Sequence, residues 1–230
     1  LIWRSFSLLQ EIKIARRSPP MSVTLTEYDL PDAFLFRGSA TGILAWQPEE
    51  TVIVLGQSNS VESSLLSDAV AANGLRVTKR PSGGETVILT PSTIAFTVAR
   101  RFPVMIPFRE YFRIVNSKVI AGLEEMGVSR LGSKGISDIT IGNRKILGSS
   151  MRKVSDRLVY HAVLNLGEDP AIFSRYLRHP GREPDYRAGR SHSEFVTSVA
   201  AEGYRLEPAD VISMLQRRLQ EVMTSGPAVI

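Results

Sequence analysis

Two stretches of this chain hold residues whose types and spacing can do chemistry. The first is RPSGGE, residues 80–85, where Gly83 and Gly84 sit beside Lys79 and Arg80. Adjacent glycines let backbone N–H groups approach an anion closely, and a flanking lysine or arginine can clamp it. A plain Gly-Gly turn with solvated charges has the same local pattern, and no Gly-Lys-Ser/Thr follows to make it a nucleotide P-loop. The second is KGISDITIGNRKILGSSM, residues 134–151, in which two β-rich runs flank Gly142-Asn143-Arg144 and Lys145 begins the return strand. That pattern predicts a hairpin. A lysine there either guards a strand edge against pairing or meets an anionic reacting group, and the residue alone does not decide. His161, flanked by apolar residues in RLVYHAVLNL, reads as a hydrogen-bonded structural histidine before it reads as a base.

The elements that must position these residues are legible from periodicity. The run 24–37 predicts a short helix or extended lead-in, 43–46 a strand, and TVIVLG (51–56) a fully apolar strand closed by the polar loop QSNS. A helix over 65–73 stops at Gly74, and LRVTKR (75–80) alternates as a strand. TVILT and TIAFTVA, on either side of Pro91, predict two strands of a hairpin. Phe108, Tyr111, Phe112, Val115, Val119, Ile120, Leu123 and Met126 recur at three and four, which predicts the longest helix and a core-packing stripe. A strand over 157–166, a short helix from Pro170, a Gly-, Pro- and Arg-rich loop (179–190) and helices over 193–201 and 208–223 complete the chain, with Gly226-Pro227 as a frayed end. Strands and hairpins around one long helix, without strict strand–helix alternation or GxGxxG, predict α+β: a mixed or antiparallel sheet with flanking helices.

Composition narrows the function classes. At 230 residues, 43% hydrophobic and 22% charged, the chain can bury a substantial core. The net charge of +5 favours an anionic partner such as a nucleotide, an acidic carrier protein or nucleic acid. Basic residues do not interleave with aromatic ones, which argues against nucleic acid. The absence of Cys removes disulfides, thiolate metal sites and cysteine nucleophiles, and the three histidines lack zinc-site spacing. No apolar run is long enough to span a bilayer. Residues 1–20 are basic and mildly amphipathic with Arg16 and Arg17 after the apolar part, the wrong order for a secretory signal; a targeting segment is the alternative to an extension or fragment boundary. The expectation is a cytoplasmic protein with one domain over 21–230.

Four stretches in order, VIVLGQSNS (52–60), KRPSGGE (79–85), SDITIGNRKILGSSM (137–151) and YHAVLNL (160–166), resemble the lipoate–protein ligase A family, the catalytic domain shared with the biotin/lipoate ligase superfamily. The family carries a strand ending in Gly with an Asn-containing loop, an Arg-Arg-x-Ser-Gly-Gly-Gly turn, an Asn-Asp hairpin with Gly-Arg-Lys-x-x-Gly-Ser-Ala, and a His-His-Gly-Thr strand. The resemblance implies a class II aminoacyl-tRNA synthetase-like fold and ATP-dependent attachment of lipoate or octanoate to a lysine through an acyl-AMP, with Mg²⁺ and no assigned metal ligands. Carried over, Lys145 is the catalytic cation and also nucleotide-binding, as are Lys79 and Asp138; Arg80, Ser82, Gly83, Gly84, Asp138, Gly148, Ser149 and His161 bind substrate. The acyl chain would lie in a groove between the sheet and the long helix. Acceptors would be lipoyl domains such as dehydrogenase E2 subunits or the glycine cleavage H protein. Only the catalytic domain is matched, so a separate accessory subunit is implied as an option. The chain departs from the pattern at Glu85 in place of the third Gly, at Leu89-Thr90 in place of His-Asp, and at Ser137, Tyr160 and Ala162-Val163. These departures keep a second reading open, a non-catalytic or partner-dependent protein that binds lipoate or lipoyl domains.

Overall fold

The structure, a computed structural model, describes residues 22–224; the expectations for residues 1–20 and for Gly226-Pro227 lie outside them. In chain order the strands are β1 (Leu25–Thr26), β2 (Gly42–Trp46), β3 (Val52–Leu55), β4 (Arg76–Lys79), β5 (Val87–Leu89), β6 (Thr93–Arg101), β7 (Leu131–Lys134), β8 (Asp138–Ile141), β9 (Arg144–Val154) and β10 (Arg157–Asn165). The helices are α1 (Ala33–Phe36), α2 (Val61–Ser64), α3 (Ser67–Ala72), α4 (Phe108–Glu125), α5 (Ala171–Tyr176), α6 (His192–Phe195) and α7 (Pro208–Thr224), with a 3₁₀ turn at Asp185–Arg187.

The strands form two sheets, a mixed one in the order β1-β4-β3-β5 and an antiparallel one in the order β2-β6-β10-β9-β8-β7. Side-chain alternation explains how they stack. In β6, Ile94, Phe96 and Val98 face α4 and α7 and pack with Tyr111, Val115, Val119 and Leu215. Its other face carries the small residues Ala95, Thr97 and Ala99, all buried. In β3, Ile53 and Leu55 pack outward with Leu65, Val70 and Tyr176, while Val52 and Val54 turn inward to Leu89 and Ala95. The layers therefore run helices, large sheet, small sheet, helices. This is the expected α+β class with flanking helices.

Four local expectations change. TVILT and TIAFTVA do not pair: β5 joins β3 in the small sheet, and β6 lies between β2 and β10 in the large one. The chain turns a corner at Pro91, held by Thr90 N–H to Thr93 Oγ1 at 3.1 Å and Thr93 N–H to Thr90 O at 2.9 Å. The helix over 65–73 starts later, as α3, with the separate turn α2 before it, because Leu65 and Leu66 leave helical geometry at the α5 end, Leu66 N–H reaching Tyr176 O at 2.9 Å. The helix over 193–201 stops after Phe195; the β-branched Val196 and Thr197 run beside β9, with Thr197 N–H on Lys145 O at 2.9 Å. The space between the large sheet and α4 is filled by core side chains, so no acyl groove lies there.

Candidate functional site

Between the two sheets, on the small-residue face of β6, lies a cavity of about 550 Å³, within the range of ligand sites. Its apolar part is lined by Trp46, Val54, Leu89, Ala95, Leu147 and Val163. Ala95 is opposite both Trp46 and Val163 in the sheet, and its size leaves the room.

Lys145 enters this cavity because β9 carries a bulge. Thr140 pairs with Lys145 and Ile139 with Leu147, so Ile146 is the extra residue. In a regular strand, residues three apart face opposite sides; the extra residue brings Lys145 over Gly148. A Cβ added at Gly148 would sit 2.8 Å from both Cε and Nζ of Lys145. A side chain there would displace the lysine's ammonium end from this position. Lys145 Nζ pairs with Asp138 Oδ1 at 2.8 Å, the lysine side chain being 27% exposed and the aspartate 10%. Since β9 lies between β8 and β10, Lys145 does not guard an edge.

Alternation also separates the two basic residues of the glycine loop. Lys79 pairs with Leu55 and shares its outward face, whereas Arg80 falls on the inward side. Lys79 does not line the cavity, which corrects its expected place beside the nucleotide. Arg80 is 3% exposed and binds the backbone of the loop and of β3: Nη2 to Gly83 O (2.7 Å) and Glu85 O (2.8 Å), Nη1 to Val54 O (3.2 Å). Burial lowers its pKa to about 10, so it stays cationic at neutral pH. Gly84, at φ +84°, is the turn residue, and an added Cβ would lie 3.0 Å from Arg80 Nη2.

The large sheet holds this loop from across the cavity. Ser150 Oγ–H donates to Gly83 O at 2.7 Å and Arg152 Nη1–H to Pro81 O at 2.9 Å. Ser82 Oγ lies 2.5 Å from His161 Nε2; neither Ser82 nor Gly83 lines the cavity, and the Gly83 carbonyl is taken by Arg80 and Ser150. Burial, reinforced by Arg80, holds the His161 pKa well below 6.5, which leaves a neutral imidazole in a structural contact. Ser149 lines the cavity and donates to Ser137 O at 2.8 Å. Glu85 is exposed and borders the cavity, Leu89 is part of its apolar wall, and Thr90 is engaged in the corner after β5.

The segment 178–196 forms the remaining wall, and no role for it was legible in the sequence. Arg178, Arg182 and Arg187 line the cavity. Phe195 lies beneath three cations, with Lys145 Nζ, Arg187 Cζ and Arg190 Cζ at 6.0, 4.9 and 5.3 Å from its ring centre. Arg187, 4% exposed, bonds through Nε to Arg190 O at 3.0 Å, while its buried Nη2 has no partner. Trp46 Nε1 and Thr86 Oγ1, also on the cavity, are buried without partners too. Orphaned donors around one cavity are what a bound polar ligand satisfies. A second missed feature is buried Asp32, which accepts from Tyr28 Oη at 2.8 Å and Thr97 Oγ1 at 2.6 Å at the cavity wall.

Two stacked sheets with a basic, glycine-edged cavity between them define a fold seen in lipoate ligases. The chain superposes on a structure from work on an archaeal lipoylation system, a bi-partite lipoate protein ligase and its E2 lipoyl domain from Thermoplasma acidophilum, with TM-score 0.71 at 21% identity over 87% of this chain and 83% of that one. A lipoate-protein ligase A bound with ATP gives TM-score 0.70 at 20% identity, covering 87% and 83%. Residues 28–220 match the model for the lipoyl protein ligase A/B catalytic domain, and the chain belongs to that family. It is 30% identical to lipoate-protein ligase A of Blochmanniella floridana over 190 residues, 79% of this chain and 50% of that protein. The chain thus spans about half the length of that relative.

Proposed function

We propose that this domain activates lipoate or octanoate with ATP and transfers the acyl group to a lysine of a lipoyl domain. The observation that carries the reading is Lys145 at the junction of an apolar arm and a cationic wall. The acyl methylenes fit the arm, where each buried CH₂ contributes about 0.8 kcal/mol. An acid oxygen attacks the α-phosphorus, its bond to pyrophosphate breaks, and an acyl-AMP forms. An amine of the acceptor then attacks the acyl carbon, AMP leaves, and the amine loses its proton to give the amide. Lys145 stands where carboxylate and α-phosphoryl charges converge, and a preorganised cation stabilises that charge better than water does. Arg80 shapes the glycine loop around the adenylate, and Arg187 Nη2 supplies a free donor.

Among the described residues, no cluster of three His, Cys, Asp or Glu could hold a metal. The residues fit Mg²⁺ that arrives on the triphosphate, where it would shield phosphate charge. Glu85 brings one acid to the cavity, opposed by the fields of Arg80 and Arg187. Five cations, Arg80, Lys145, Arg178, Arg182 and Arg187, against two acids, Asp32 and Glu85, support nucleotide binding over the non-catalytic reading. The acceptor would be a small acidic domain suited to the net charge of +5, in the cytoplasm, with or without a separate accessory subunit. No described helix is long and apolar enough to cross a membrane.

The test is to incubate the pure chain with lipoate, ATP, Mg²⁺ and an apo lipoyl domain, beside a reaction given preformed lipoyl-AMP, and weigh the acceptor. A lipoyl mass increment in at least the second is expected; none in either, with or without an accessory subunit, overturns the reading. Gly148→Ala pushes the Lys145 stem aside, so turnover should fall about 100-fold while the circular dichroism spectrum is unchanged.

A further inference from the structure

Asp138 carries two oxygens with two different partners. Oδ1 pairs with Lys145 Nζ at 2.8 Å, and Oδ2 accepts from Tyr186 Oη at 2.7 Å. Tyr186 belongs to the 3₁₀ turn of the basic wall, 48 residues further along the chain. It packs against Phe195 with centroids 5.1 Å apart, Lys134 Nζ lies 5.9 Å over its face, and its edge lies beside Gly135. Its carbonyl accepts from Arg190 Nη2 at 2.7 Å.

We infer that Tyr186 is a positioning residue for Lys145: through Asp138 it fixes the carboxylate that orients the lysine, and it ties the 178–196 wall to the same ion pair. The catalytic consequence rests on the ligase reading, but the coupling itself does not. A carboxylate with one partner can rotate about its terminal bond and carry the lysine with it; a second donor on the other oxygen removes that freedom. The phenol stays a donor, because burial and the neighbouring carboxylate both push its pKa up. The groups facing Asp138 are Lys145 from β9, Tyr186 from the wall and, by charge alone, the buried phenol of Tyr160 from β10. Lys134 of β7 is directed to Asn143 Oδ1 at 2.6 Å. Among the described residues, Phe195 lies next to both Tyr186 and Lys145, so wall and lysine share a platform as well as a carboxylate.

Tyr186→Phe keeps the ring and removes only the hydroxyl. The 230-residue chain, labelled with ¹³C at aspartate carboxyls and at lysine Cε and assigned with Asp138→Asn and Lys145→Arg, is compared by NMR with and without the substitution. Loss of the donor should shift the Asp138 carboxyl resonance and make Lys145 Cε more mobile. In the acylation assay, kcat should fall about 10- to 100-fold with KM for ATP and acid unchanged. Unmoved Asp138 and Lys145 signals overturn the inference. If the unsubstituted chain shows no turnover, the ligase reading fails while these signals still decide the coupling.

Discussion

Lys145→Ala is expected to lower acyl transfer about 10³-fold while the protein folds as before. The size follows from where the charge sits. The lysine side chain is 27% exposed, partly shielded from water, so its interaction with phosphoryl and carboxylate oxygens is stronger than in bulk solvent. Its backbone bonds to Thr140 on β8 and Thr197 after α6 do not depend on the side chain. Asp138 keeps the Tyr186 bond, so the stability cost should stay at about 1 kcal/mol. Intact mass of the acceptor measures transfer, and a thermal melt measures folding. Unchanged turnover would remove Lys145 from the mechanism, and a collapsed melt would reassign it to the fold.

Arg80→Met is expected to act in the opposite way, through the fold first. The substitution keeps an apolar stem but removes the arginine donor from the carbonyls of Val54 and Glu85 and leaves Gly83 O with Ser150 Oγ alone. An unsatisfied buried acceptor costs about 1–3 kcal/mol, partly offset because a buried guanidinium no longer has to be desolvated. A net loss of about 4 kcal/mol, seen as a Tm lower by roughly 10 °C, is the result for a loop organiser. Lys79→Met, on the outward face, should change neither Tm nor turnover. If Arg80→Met instead leaves the Tm untouched and abolishes adenylate binding, the arginine acts on the ligand directly and the loop stands without it.

The contrast between these neighbours shows what the sequence could and could not convey. The Gly142 turn and the stripe of α4 were readable because each depends on residues close in sequence. Strand alternation could have separated Lys79 from Arg80, but only if the register of β4 against β3 were known. Pro91 marked a break between two strands without telling which sheet each would join; distant burial decides that, and β5 and β6 part there. The side of the sheet that holds the cavity was carried by a quiet signal, the small set Ala95, Thr97, Ala99 against the large set Ile94, Phe96, Val98. Both sets are apolar enough to read as core. Lys145, Gly148 and Asp138 were legible as a group because they share one hairpin. Tyr186 and Arg187 were not, because their partners lie across the fold and an arginine-rich loop looks solvated until its packing is seen.

The central claim is that the cavity between the sheets holds an acyl-adenylate against Lys145. Calorimetry with a non-hydrolysable lipoyl-sulfamoyl adenosine on the full chain tests it most directly, since binding needs neither acceptor nor accessory subunit. The account predicts one site, with affinity weakened about 100-fold or more in Lys145→Ala. No binding to the unsubstituted chain, or equal affinity in the variant, would contradict it.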